Sequence, residues 1–282
     1  MDRRHLTFPG FKKKALTLSY DDGVRQDKRL IQIMQENGIK GTFNINSGRF
    51  NTQIDDTTSG RLTREEALDL YKSAGMEVAI HGYKHYSLAS MDSAIALNEI
   101  LSDRKELEKT FDRIVNGMAY ANGNYDDKVV EMLKMCGVKY SRTVISTEKF
   151  DLPTDWLRMP TTCHHNNPKL MDLAKEFIET SPPAYYWSNR PKLFYLWGHS
   201  YEFDRNDNWE VIEKFCKYVG NRNDVWYATN GEIYEYVHSY DNLVFSVDGD
   251  MIYNPGSTTV YVEWFDKLIE IHAGETVKTN KN

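Results

Sequence analysis

The stretch "LTLSYDDG" at 16–23 ends an apolar, alternating run in two adjacent carboxylates, Asp21 and Asp22. Neighbouring side chains of a strand point to opposite faces, so one acid of the pair faces the interior unless the strand stops there. Further along, "HGYKH" sets His81 and His85 four residues apart. Two histidines and one carboxylate from another strand make a three-ligand set for a catalytic divalent ion, with a position left for water or substrate. The second carboxylate is then free to act as general base toward water whose pKa the ion lowers. His199, in "LWGHS", has the chemistry of a general acid for a leaving group. Taken singly these signals are weak, since an adjacent Asp pair usually belongs to a turn or cap. Their common placement at strand ends is what gives them weight.

The elements that would position these groups alternate. "ALTLSY" reads as a strand, and 26–37 spaces Leu30, Ile31, Ile33 and Met34 as a helix would before Gly38 stops it. "GTFNIN" is a second strand. Thr63 and Glu66 form a capping-box spacing ahead of a helix that ends at Gly75. The pattern continues with strand "EVAI", a helix from about 90 to 112, strand 117–120, helix 126–136, strand 139–144 and an extended segment 156–163. Helix 168–180, strand "KLFYLW", helix 207–219, strand "DVWYAT" and helix 231–239 follow. Seven or eight strands separated by helices predict a parallel sheet closed as a β/α barrel. Fe(II) oxygenases also use two histidines and a carboxylate, but on all-β double-sheet folds, so the alternation argues against them. After 240 the texture changes to strands and turns without helix. The expected division is a barrel at 1–240 and a small β appendage with a frayed tail at 241–282.

In a barrel of this kind function sits at the C-terminal strand ends. Five of the eight histidines fall there: His81, His85, His164, His165 and His199. His5, His238 and His272 do not. The 282 residues are 40% hydrophobic and 27% charged with a net charge of −6, an ordinary globular balance that lacks the basic stripe of a nucleic-acid partner. "FKKK" at 11–14 is the densest basic run and reads as solvated. Cys136, Cys163 and Cys216 are isolated and odd in number, neither a disulfide framework nor a thiolate zinc site. The first residues lack the apolar core of a signal peptide, and no run is long enough to span a bilayer. As it stands the chain reads as cytoplasmic, and an exported chain that had lost its leader would read the same. Nothing in the sequence sets an oligomeric state.

At these residues, and over roughly 12–240, the sequence resembles the polysaccharide deacetylase family, the NodB-homology group of carbohydrate esterase family 4. "LSYDDG" is similar to that family's T-F-D-D-G motif and "HGYKH" to its H-[ST]-x-x-H. "LFYLWGHS" resembles its late motif, and "DLPTDW" loosely resembles its Asp-Trp segment. The resemblance implies an irregular (β/α) barrel of about seven strands. It further implies Asp21 as general base, Asp22, His81 and His85 as ligands of a metal, and His199 as acid. The ion implied is zinc first, with cobalt, nickel or manganese as alternatives. The implied partner is an acetylated carbohydrate, from which an N- or O-acetyl group is hydrolysed.

The sequence departs from the family at its third motif, R-P-P-Y-G, which here reads "AYANG". Ala119 stands where the Arg that braces the catalytic Asp would be. Asn122 stands at the Tyr whose backbone N–H serves the oxyanion hole, a role that survives a side-chain change. Either Arg142 or Arg158 substitutes for the missing cation, or Asp21 holds its proton to higher pH. Tyr20, Trp197, His164 and His165 are the candidate substrate contacts, with polar loop histidines as the plain alternative for "TTCHH". Trp187, Trp197 and Trp209 would suit stacking on sugar rings. Two rival functions remain, an amidase of the same fold acting on a non-sugar amide or cyclic imide, and a non-catalytic carbohydrate-binding protein.

Overall fold

The computed structural model describes residues 3–52, 60–180 and 190–279. In chain order its elements begin with β1 (Leu6–Thr7), β2 (Lys14–Asp21), α1 (Asp27–Glu36), β3 (Gly41–Ile45), α2 (Arg64–Ser73), β4 (Glu77–Ile80), α3 (Ser93–Phe111) and β5 (Gly117–Ala119). The next are α4 (Asp127–Met135), β6 (Tyr140–Ser146), β7 (Met159–Thr161), β8 (Cys163–His164), α5 (Leu170–Glu179), β9 (Lys192–Gly198), α6 (Tyr201–Arg205) and α7 (Glu210–Val219). Last come β10 (Val225–Tyr227), α8 (Asn230–Asp241), β11 (Val244–Phe245), β12 (Met251–Tyr253), β13 (Val260–Trp264), β14 (Lys267–Ile271) and β15 (Thr276–Lys278).

Strands β2 to β9 pair in parallel in the spatial order β7-β6-β5-β4-β3-β2-β9-β8, the parallel barrel that the alternation predicts. Its two ends are one segment. Met159–Thr161 pairs with β6, Thr162 N–H donates to Tyr195 O of β9 (2.9 Å), and Cys163–His164 then pairs with β9. This short run therefore closes the ring. Strand β10 adds to the lower half of β2, beside Lys14–Leu16.

Strand parity sorts the side chains. On β2, Leu16, Leu18 and Tyr20 belong to the apolar layer between strands and helices. Thr17, Ser19 and Asp21 alternate with them, so they face the bore. The bore is polar and internally bonded. Asn44 Nδ2 donates to Ser19 Oγ (2.9 Å), Thr17 Oγ1 to Asn230 Oδ1 (3.1 Å), and Asn230 Nδ2 to the Tyr195 hydroxyl (2.7 Å). Helices seal the outer face with amphipathic stripes such as Leu30, Ile31, Ile33 and Met34 of α1. The expected capping box at α2 is present in both directions, and a second, Thr229 with Glu232, opens α8.

Strands β11, β12 and β15 form one antiparallel sheet, and β13 and β14 form another that β1 joins. Leu6 and Thr7 lie opposite Val262 and Tyr261, so the start of the chain contributes a strand beside the 241–282 segment. Leu6, Val260, Val262, Ile252 and Ile271 share one buried cluster with Ile233, Val237 and Tyr240 of α8. The three cysteines are buried and unbridged. Among the described residues, no helix is long and apolar enough to cross a membrane.

At the base of the barrel, β5 and β6 pack so closely that a Cβ on Gly117 would lie 2.1 Å from the ring of fully buried Tyr140. Gly117→Ala should destabilise the fold by about 1–3 kcal/mol through overpacking. Urea unfolding should show a lower midpoint at unchanged slope. An unchanged midpoint would mean that β5 and β6 move apart to admit the methyl group without cost.

Candidate active site

The upper rim gathers Asp21, Asp22, His81, His85 and His199. Asp21 ends β2, His81 follows β4, and His199 follows β9. Asp21 is 2% exposed and surrounded by partners. Arg142 Nη2 donates to its Oδ1 (2.7 Å) and Oδ2 (2.5 Å), and Asn44 Nδ2 donates to Oδ1 (2.9 Å). His81 Nε2 lies 3.6 Å and His199 Nε2 3.8 Å from Oδ2. Burial alone would raise this carboxyl. Arg142 and then the two histidines outweigh burial and hold it at about 2, below its ordinary 3.8.

Arg142 thus answers the missing third-motif Arg. It sits on β6 directly opposite Ala119 of β5, so the cation has moved one strand along the ring. Its guanidinium stacks over the Trp197 ring at 4.4 Å. Arg158 pairs instead with Asp155 and Asp127 at the surface. Asp155, from "DLPTDW", caps the turn that follows it, and Trp156 packs beside Tyr234 and His238, so that segment supplies nothing to the rim.

Asp22, His81 and His85 bring three ligand atoms within 4.8 Å of one another. Their surroundings fit a divalent ion. Asp22 Oδ1 and His81 Nε2 are buried without a hydrogen-bond partner. His81 Nδ1 contacts Ala119 O at 2.9 Å, which makes Nδ1 the donor and leaves the Nε2 lone pair toward the trio. Burial, then the neighbouring His81, push His85 down to about 4, so its ring is neutral at pH 7. Asp22 (φ 87°) and His85 (φ 64°) both occupy left-handed backbone, which turns their side chains toward the trio. Arg61 also approaches Asp22, donating to its carbonyl oxygen.

Glu202 escapes a motif search. It lies on α6 three residues after His199, with Oε1 3.5 Å from His199 Nδ1. Burial favours neutral His199, but Glu202 and Asp21 outweigh it and raise the imidazole above its ordinary pKa. The i, i+3 spacing on a helix opened by the histidine is the one sequence signal that could have found it.

The other Glu202 oxygen meets His165 Nε2 at 2.9 Å, His164 Nε2 at 3.3 Å and Asn166 Nδ2 at 3.1 Å. This second His–His–Glu group has the ligand count of a metal site but not its hydrogen bonding. Asn166 N–H donates to His164 Nδ1 (3.1 Å), so the neutral ring carries its proton on Nε2, facing Glu202. Arg205 adds a further donor at 3.3 Å. Asn166 and Arg205 each donate to one oxygen of Glu202, so both its oxygens have a partner without an ion.

Two of the expected substrate contacts are corrected. Tyr20 is 1% exposed and His165 is 1% exposed, stacked on each other outside the bore with Phe203. With Asp21 turned inward, strand parity turns Tyr20 outward into the core. Trp209 is likewise buried, bonded to Asp204 and covered by Arg29. Trp197 and His164 are half-buried, edge to face at 4.6 Å, and remain available at the rim. Trp187 lies outside the described residues. Asn122 occupies a tight turn at φ 57°, its side chain donating to Ser87 Oγ (3.1 Å).

Residues 9–141 match the family model described as Polysaccharide deacetylase. Over that span, a little under half of its length, the chain is similar to the polysaccharide deacetylases. The match includes Asp21, Asp22, His81, His85 and Ala119, and stops one residue short of Arg142. The fold is shared more widely. A Mycobacterium smegmatis protein named as a candidate polysaccharide deacetylase aligns at 17% identity and TM-score 0.58, covering 84% of this chain and 94% of its own. PuuE allantoinase aligns at 15% identity and TM-score 0.60 with the same coverages. A mutant of a CE4 family pseudoenzyme aligns at 14% and 0.50, over 82% of this chain and 70% of its own. At these identities the likeness is one of fold. The chain spans about half the length of the first two deacetylase structures it matches, 55% and 44%. No curated protein matches it.

Metal-free protein titrated with Zn²⁺ should bind one tight equivalent. His81→Ala should weaken it beyond the roughly 10–100-fold typical of lost outer-shell partners, whereas His164→Ala should retain it. A second tight equivalent that disappears in His164→Ala would overturn the reading of the Glu202 group.

Proposed function

We propose that this chain is a metal-dependent hydrolase that removes acetyl groups, N- or O-linked, from a carbohydrate. The observation that carries the reading is a buried acid, Asp21, paired with Arg142 and set between the Asp22, His81 and His85 trio and His199 on one barrel rim. Asp21 serves as general base. Arg142 keeps it ionised across the working pH range, so it is ready to accept a proton from water. A divalent ion held by Asp22, His81 and His85, zinc first and cobalt, nickel or manganese otherwise, would supply Lewis acidity and lower the pKa of water at its open position. His199 has Glu202 beside Nδ1 and presents Nε2 toward Asp21, so it serves as the acid that protonates the departing sugar nitrogen or oxygen. The Asn122 backbone N–H serves the developing oxyanion. The half-buried Trp197 ring at the rim, with His164 set edge to face beside it, is the aromatic surface available to a sugar ring.

Acetate release from a panel of acetylated sugars, with and without chelator, tests this reading. Release should be chelator-sensitive and abolished in Asp21→Asn, which should nevertheless keep its metal because no ligand is lost. His199→Ala should also keep its metal and lose roughly 10²–10⁴ in kcat. That loss should shrink on aryl acetates, whose leaving groups need no proton. Chelator-insensitive turnover of a cyclic amide would point to the amidase reading, and no turnover with any metal to a binding protein.

The Asp21–Arg142 pair gives a pH signature. A carboxyl depressed to about 2 is ionised throughout the assay range, and its contact stabilises the fold above its ordinary 3.8, an effect lost as pH falls toward 2. In Arg142→Met burial is opposed only by the histidines and Asn44, so the acid limb of kcat/KM should move to higher pH. The unpaired buried carboxylate should also cost about 3–5 kcal/mol at neutral pH. An unmoved limb would mean that the acid governing kcat/KM is not Asp21.

A further inference from the structure

The five residues from His81 to His85 form a loop, not a regular element, yet two of the three ligands sit on it. Side chains that must meet an ion within about 0.5 Å need a rigid mount. On the sequence alone this loop has none, since both its glycine (Gly82, φ 80°) and His85 occupy left-handed backbone.

The backbone contacts of the loop show where the rigidity comes from. His81 N–H donates to Asp103 Oδ2 (2.9 Å), and Lys84 N–H donates to Glu99 Oε2 (2.7 Å). Tyr83 N–H donates to the Glu99 carbonyl (3.2 Å), and His85 N–H closes back on Gly82 O (3.3 Å). The carbonyls of His81 and Gly82 both accept from Asn46 Nδ2, at 2.7 and 2.9 Å. Tyr83 O accepts from Gly48 N–H (3.0 Å). Asp103 spends its remaining oxygen on Ser47, accepting from the backbone N–H (2.7 Å) and the hydroxyl (2.6 Å). One fully buried carboxylate in α3 thus ties the loop after β3 to the loop after β4. Glu99, one turn earlier on the same helix, fixes the other end of the ligand loop. Neither residue faces the reacting atoms, and neither belongs to a motif recognised in the sequence.

A buried carboxylate is costly, and this position would be cheaper as an apolar residue if packing were all that it supplied. Three donors from two loops converge on the two oxygens of Asp103, which suits it to hold a loop that lacks regular structure. We infer that Asp103, seconded by Glu99, is the positioning residue of the ligand loop, setting the separation of His81 and His85 from α3. The inference rests on the metal-site reading of Asp22, His81 and His85.

The test measures Zn²⁺ affinity directly, by competition of the metal-free full chain against a chromophoric chelator, beside thermal melts. Asp103→Asn places an amide N–H₂ where either His81 N–H or Ser47 must be met by a donor. It should weaken Zn²⁺ binding by roughly 10–100-fold, the range for outer-shell partners. Glu99→Gln keeps an acceptor oxygen for Lys84 N–H and should have a smaller effect in the same direction, which keeps the test open if Asp103→Asn folds poorly. Glu77→Gln is the control. It breaks a half-buried cluster with Tyr140, Thr42 and Gly231 at the opposite end of the barrel. It should lower the melting temperature and leave Zn²⁺ affinity unchanged. Unchanged Zn²⁺ affinity in folded Asp103→Asn and Glu99→Gln, while the wild-type chain binds the ion, would overturn the inference and leave the metal reading standing. Failure of the wild-type chain to bind Zn²⁺ would overturn the metal reading and the inference together.

Discussion

A guanidinium and a carboxylate, Arg142 and Asp21, face each other inside the barrel with essentially no solvent contact. Each charge alone would be prohibitive there, and together they are tolerable only with short, well-directed bonds. That requirement constrains everything nearby. Position 119, directly opposite Arg142 on the neighbouring strand, carries a fully buried alanine. Trp197 must present its face to the cation, and Asn44 its amide to the acid. With Arg142 and Asn44 bonded to Asp21, its remaining close neighbours are His81 and His199.

The parts of this arrangement that were legible in the sequence are the local ones. Asp21-Asp22, His81 with His85 and the Thr63–Glu66 box are short-range patterns, and short-range spacing translates directly into geometry. Arg142 could be named only as one of two candidates, because its partner is 121 residues away and only the strand register decides between it and Arg158. Glu202 was hidden because a polar residue on a short helix reads as solvated. Tyr20 and His165 were misplaced for a reason that the sequence did contain, since an inward Asp21 forces Tyr20 outward by strand parity. The pairing of β1 with β13 had no signal, being two residues long and nearly the length of the chain apart.

The barrel separates its tasks between its ends. At the base, Glu77 joins Tyr140, Thr42 and Gly231 in a closed polar cluster that ties β3, β4 and β6 to α8. At the rim, polar atoms are left without partners, among them Asp22 Oδ1, His81 Nε2 and Arg142 Nε. Satisfied polar groups mark the end that holds the fold together, and unsatisfied ones the end that faces a ligand, as expected of chemistry at the C-terminal strand ends.

The left-handed backbone of Asp22 bears on how such a chain can drift. Few side chains tolerate that conformation, and asparagine is foremost among those that do. The replacement easiest for the fold at position 22 is therefore one that removes the negative oxygen from the ligand trio. A single codon change can remove that oxygen and leave barrel and loops intact. At this position a change of chemistry need not be a loss of stability.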